Sequence, residues 1–122
     1  MPSFSFVLLY VDSPLSSARF YEDLLGRAAV EAAPTFAMLP LTEGVMLGLW
    51  SKRTVAPEAS PPGGSEIAFT VGNAEDVEAT FLDWQKRGLK IEQLPTKMDF
   101  GSTFVALDPD GHRLRVFAPD MP

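Results

Sequence analysis

The chain contains no cysteine, one histidine, and ten basic residues against sixteen acidic ones. Each scarcity removes a class of function. Without cysteine there are no disulfides, thiolate nucleophiles or thiolate metal sites, and the composition fits a reducing compartment. A lone histidine, His112, leaves little from which to build a His-rich metal site or an oriented general base. A net charge of −6 argues against nucleic acid, because phosphate binding needs a basic footprint. Lys52, Arg53 and Lys97 read as scattered surface charges, and no Gly-rich phosphate loop or nucleophile motif is present. No apolar run approaches the ~18 residues that would suggest a membrane span. No basic segment precedes an apolar run at the N-terminus, so a cytoplasmic protein is expected.

What is present is an internal repeat. The stretch FSFVLLYVDSPLSSARFYEDLLGRAAV begins at Phe4, and SEIAFTVGNAEDVEATFLDWQKRGLKI begins at Ser65. In each, an apolar strand ends in a polar cap, a helix of roughly three turns follows, and a glycine closes it. Further strands complete a βαβββ unit over residues 4–50 and again over 65–119. Between them lies SKRTVAPEASPPGG, residues 51–64, a Pro- and Gly-rich linker. The 122 residues are expected to form a single α+β domain in which the two modules make one cup-shaped mixed sheet. A cup suits a small ligand.

Local signals place the elements. Phe4 to Val11 is a continuous apolar run and predicts a strand. Ser13 is a good N-cap, Pro14 suits the first helical position, and Gly26 supplies the stop. Ala28–Ala33, Phe36–Leu41 and Val45–Trp50 read as the next strands, with Thr42-Glu43-Gly44 as a turn. In the second module Glu66–Val71 is a strand, and Asn73 caps a helix whose buried stripe is Val77, Phe81 and Trp84. Leu89–Leu94, Thr103–Asp108 and Arg113–Phe117 follow, and Asp108-Pro109-Asp110-Gly111 is a turn with His112 beside it.

Side-chain alternation then divides the strands between helix and cup. Phe6, Leu8 and Tyr10 fall on one face of the first strand, and Met46, Gly48 and Trp50 on one face of the fourth. Phe36, Met38 and Phe104 are expected to join them, with Phe100 in a loop at the mouth. This lining is aromatic and Met-rich, suited to stacking a planar ring, with Gly48 as a place where a bulky ligand can approach. Glu66 and Arg115 are also in-facing, opposite Ile67, Phe69, Val71, Leu114 and Val116, and predict a buried ion pair. The pair either plugs the cup or also meets a polar group of the ligand.

The order of elements, the first helix VDSPLSSARFYEDLLG and the DPDGHRLRV run before the last strand resemble the vicinal oxygen chelate superfamily. That group includes glyoxalase I, extradiol dioxygenases and the bleomycin and fosfomycin resistance proteins, and the resemblance covers essentially the whole chain. LGLWS, SEIAFTV, DFGSTF and DPDGHRLRV look like stretches of its phenazine antibiotic resistance proteins, although Ser102 stands where a basic residue would be expected. Superfamily enzymes hold a divalent metal at four strand positions. Matched strand for strand, these fall on Phe6, near Gly48, on Glu66 and on Arg115, so the resemblance implies no metal and no other cofactor here. It implies a binding protein that sequesters a planar, antibiotic-like aromatic, and with the faces assigned above the expected ligand-binding residues are Trp50, Tyr10, Phe36, Met46, Gly48, Glu66, Phe100, Phe104 and Arg115. The alternatives are an enzyme, either a lyase or dioxygenase with atypical ligands or an isomerase using Glu66 as base, and an interaction module with a closed cup. A homodimer is expected, paired or module-swapped through the long linker, because exposed sheet edges are usually covered.

Overall fold

In the computed structural model, which describes residues 1–120, the chain forms two compact units, residues 1–61 and 62–120, with the boundary in sequence falling inside the predicted linker. The first runs β1 (Phe6–Val11), α1 (Pro14–Leu25), β2 (Glu31–Ala32), β3 (Phe36–Thr42) and β4 (Val45–Ser51). The second runs β5 (Glu66–Thr70), α2 (Ala74–Lys86), β6 (Lys90–Met98), β7 (Gly101–Leu107) and β8 (Arg113–Pro119). Each is a four-stranded mixed sheet with the same connectivity, in the orders β1-β4-β3-β2 and β5-β8-β7-β6. The β1/β4 and β5/β8 pairs are parallel and the others antiparallel. The α+β, twice-βαβββ reading therefore holds.

The helices start and stop where their capping chemistry dictates. Ser13 Oγ accepts the Ser16 N–H at 3.2 Å, and Gly26, at φ 67°, donates its N–H to Glu22 O at 2.9 Å. Asn73 Oδ1 accepts the Asp76 N–H at 2.8 Å, and Glu75 and Asp76 complement the positive end of α2. The helices bury one stripe each against one face of their sheet. Ala18 and Tyr21 of α1 are buried with Val11, Leu39, Leu47 and Leu49, which form the core of the first unit. In the second, Phe104 packs edge-on against both Phe81 and Trp84 with ring centroids 5.6 Å apart, and Trp84 meets Phe69 at 5.9 Å.

Most strand boundaries shift by one or two residues from the sequence reading, and three of the departures have a clear local reason. The predicted strand over 28–33 shrinks to Glu31–Ala32, because the Glu22 carboxylate captures the Ala29 N–H at 2.7 Å and withdraws it from the ladder. β6 continues through Pro95 to Met98, which an edge strand tolerates since the missing N–H faces no partner. β7 begins at Gly101 because that residue sits at φ 144° with a would-be Cβ only 2.1 Å from Ala118 O, a closeness that glycine alone permits.

Candidate functional site

The face of the first sheet turned away from α1 is an ordered apolar lattice. Register places Phe6, Met46 and Pro40 in one row across β1, β4 and β3. Leu8, Gly48 and Met38 form the next, and Tyr10, Trp50 and Phe36 the third. The intervening residues Leu9, Leu47, Leu49, Ala37 and Leu39 are buried under the helix, so the period-2 assignment of these faces holds. A cavity of about 550 Å³ opens on this face, lined by Phe6, Leu8, Thr35, Phe36, Trp50 and Thr54. Its size is that of a small-molecule site. Phe6 and Leu8 remain 40% and 43% exposed, an apolar surface on the face turned away from α1. Phe36 and Trp50 stand nearly perpendicular, 85° apart with centroids 6.3 Å apart, so a flat ring lying on one meets the other with its edge.

Two of the lining residues escape sequence reasoning. Thr35 immediately precedes β3, and its carbonyl accepts the Ser51 N–H at 2.9 Å. Thr54 lies in the turn after β4, where the N–H groups of Thr54 and Val55 both reach Ser51 O at 3.1 Å. That turn is tied to the end of β1 by Arg53, which donates to Asp12 O at 2.7 Å and to the Asp12 carboxylate. Hydrogen bonding and then the charge of Arg53 hold the Asp12 carboxyl below its ordinary range, with Lys52 adding to the effect. Lys97 is likewise paired, with Asp120 at 2.6 Å. Neither cluster behaves as a basic patch.

Gly48 does not provide the expected room. A Cβ built there would come within 2.6 Å of Leu8 Cδ2 and 3.1 Å of Phe36 Cζ, so those side chains already lean across the glycine. Its role is to seat the lining. Tyr10 is the cross-strand neighbour of Trp50 but is not one of the cavity's walls, and Met46 lines a separate cavity beyond Phe6.

In the second unit the corresponding face is polar. Arg115 donates from Nε and Nη2 to the two oxygens of Glu66, at 2.7 and 3.1 Å. Its Nη1 reaches Gln93 Oε1 at 3.2 Å and Thr103 Oγ1 at 3.1 Å, and the Thr103 hydroxyl donates to Val116 O at 2.8 Å. Arg113, the register partner of Glu66, adds contacts at 3.7 Å to Glu66 and 4.0 Å to Glu92. The Glu66–Arg115 pair forms, but its side chains are 28% and 19% exposed, so it is partly solvated instead of buried as predicted. The hydrogen bond from Arg115 lowers the Glu66 pKa, outweighing the opposing effect of burial, and the charges of Arg115 and Arg113 lower it further. A carboxylate so held is a poor general base.

Phe104 is a correction. It pairs in register with Val116, is fully buried, and packs on α2, so it belongs to the helix-facing core and not to a ligand wall. Phe100 occupies the turn between β6 and β7, 42% exposed, with its ring edge-on to Phe117 at 5.9 Å. The predicted residues thus form two groups, Phe6, Leu8, Phe36 and Trp50 in one unit and Glu66 and Arg115 in the other.

Compared with known families, residues 3–116 match the model of the glyoxalase/bleomycin resistance protein/dioxygenase superfamily. The chain belongs to that superfamily. It is 32% identical over 114 residues to the phenazine antibiotic resistance protein EhpR of Enterobacter agglomerans, covering 89% of this chain and 86% of that one. Among solved structures it is 49% identical to protein ATC0852 of Agrobacterium tumefaciens, with a TM-score of 0.89 over 99% of this chain and 100% of that one. A glyoxalase-related enzyme of Fulvimarina pelagi, at 21% identity and a TM-score of 0.81 over 97% of this chain and 88% of that one, shares the fold.

The side chains do not fit the metal that enzymes of this superfamily hold. Of Phe6, Gly48, Glu66 and Arg115, only Glu66 is a donor, and both its oxygens accept from Arg115. Among the described residues no group of three or more His, Cys, Asp or Glu side chains converges as a metal site. Among them, too, no helix is long and apolar enough to cross a membrane.

Proposed function

We propose that this superfamily member binds and sequesters a planar aromatic, antibiotic-like small molecule of phenazine type in the cytoplasm, without a metal, and so confers resistance. The observation that carries the reading is the cavity walled by Trp50, Phe36, Phe6 and Leu8. It offers perpendicular aromatic faces and almost no charge, so binding rests on stacking and apolar burial. The likeness to a phenazine antibiotic resistance protein supports the ligand class. The absence of a fitting donor set, and a Glu66 carboxylate occupied by Arg115, support binding over turnover.

Titration with phenazine, followed by tryptophan fluorescence and calorimetry, tests this directly. The chain has two tryptophans, and Trp84 is buried under Phe104, so quenching is expected to disappear in Trp50→Phe. Absence of both heat and quenching with planar ligands overturns the reading. Recovery of the ligand unchanged after incubation distinguishes sequestration from catalysis. The same reading includes a second copy of the chain: exposed Phe6 and Leu8 are the sort of surface that pairing covers. Light scattering after size exclusion is expected to give a dimer at micromolar concentration, and a monomer refutes that part.

A further inference from the structure

A second cavity, of about 370 Å³, lies at the β3–β4 turn end of the same sheet, on the far side of Phe6 from Trp50. Phe6 belongs to the walls of both. The second is bordered by Arg27, Pro40, Glu43 and Met46 and, unlike the first, carries charge. The rows Phe6–Met46–Pro40 and Tyr10–Trp50–Phe36 are separated by four residues along β4, or about 13 Å of strand. The ring site already extends from Trp50 to Phe6, so a substituent need only pass Phe6 to enter the second cavity. Arg27 is brought there because Gly26, in the left-handed conformation, ends α1 immediately before it. Among the described residues no ion pair joins Arg27 to Glu43.

Resting on the reading above, we infer that the cavity beyond Phe6 is a subsite for an acidic side arm on the bound aromatic ring, with Arg27 receiving the arm's carboxylate. The guanidinium is a planar fork that matches a carboxylate with two parallel hydrogen bonds. Pro40, Met46 and Phe6 supply apolar walls for the arm's carbon chain. Glu43 sets the opposite preference and serves as the internal control. The ligand class is thus an amphiphile, flat and neutral at one end and anionic at the other.

The test uses three probes built on phenazine-1-carboxamide. One carries an N-linked, flexible ω-carboxyalkyl arm, one the methyl ester of that arm, and one a matching aminoalkyl arm. Calorimetry on the full-length protein is expected to show the acid binding roughly tenfold or more tighter than the ester, the scale of a charge-assisted hydrogen bond. That preference is expected to shrink with added salt and to vanish in Arg27→Gln, while the ester binds Arg27→Gln as it binds the native chain. Trp50→Ala weakens both. Arg27 is exposed, so an unchanged melting temperature confirms that Arg27→Gln is folded. Equal binding of acid and ester overturns the subsite and leaves the ring site standing. An acid preference that survives Arg27→Gln, or preference for the amine that is lost in Glu43→Gln, also overturns it. If no probe binds, the ring site falls and the subsite with it.

Discussion

The two units share a strand order, a helix position and capped helix starts, yet their exposed sheet faces are chemical opposites. Under α1 and α2 the residues are interchangeable in kind: Leu39, Leu47 and Leu49 in one, Phe104, Leu114 and Val116 in the other. On the far face the first unit presents Phe6, Leu8, Phe36 and Trp50, while the second presents Glu66, Arg113, Arg115 and Gln93. The repeat therefore preserves what closes each unit and varies what each unit shows. Packing against a helix requires apolar side chains of matched volume, and most changes there destabilise. The other face carries no such requirement, so ligand chemistry can be placed there without altering the fold.

The sharpest way to break this comparison is to cross the faces. Phe104→Ala removes a ring wedged between Phe81 and Trp84 and is expected to cost about 3–5 kcal/mol of stability, read as a large fall in denaturation midpoint. A midpoint close to native would return Phe104 to the ligand face and undo the division. Arg115→Ala comes next. The partial exposure of its pair with Glu66 brings the expectation below the cost of breaking a fully buried pair, to about 1–3 kcal/mol. Much of that cost is the stranding of Glu66, Gln93 and Thr103, so Glu66→Gln with Arg115→Met is expected to recover part of it. A double mutant as unstable as the sum of single changes would mean that the network acts through packing.

These same residues show what sequence can and cannot convey. Helix limits were legible because their causes are local: Ser13-Pro14, Gly26 and Asn73 act within a few residues of themselves. The apolar face of β1 was legible because burial alternates there, and its register with β4 carries the assignment across to Met46 and Trp50. Phe104 was misplaced because Thr103, Phe104, Val105 and Ala106 are all buried, so β7 shows no alternation to read. Thr35 and Thr54 line the cavity from a strand's first flank and a turn, where no periodicity applies. Gln93 and Thr103 became partners of Arg115 only through cross-strand register, and the space above Gly48 was settled by the rotamers of Leu8 and Phe36.

The ligand face predicts the reverse pattern from Phe104. Trp50→Ala is expected to weaken binding of a planar ring by about 1–3 kcal/mol, the loss of one stacking wall and its apolar area, with a small change in melting temperature. Tyr10→Phe, which removes a hydroxyl beside the cavity instead of a wall, is expected to leave the affinity near native. Unchanged affinity together with a large fall in stability would make Trp50 a core residue and erase the distinction between the faces.

The smallest expected effect is the one that tests the polar face alone. The hydrogen bond from Arg115 lowers the Glu66 pKa in the folded chain relative to its ordinary value of 4.5. The unfolded chain then binds the proton more readily than the folded one, so stability falls as the medium becomes acidic. The contribution of Glu66 is complete above its unfolded pKa and is lost as pH drops through the depressed folded value. Glu66→Gln removes that titration, so its midpoint is expected to decline less steeply than the native one below about pH 4. The difference should be under about 1 kcal/mol, because the pair is partly solvated. The first unit has its own depressed carboxyl in Asp12, but that group is exposed and paired with Arg53 at the surface. Asp12→Asn is therefore expected to leave the acid limb unaltered. Equal flattening by both substitutions would mean that the second unit's face is no more structured by its charges than an ordinary surface, and the contrast between the two faces would reduce to hydrophobicity alone.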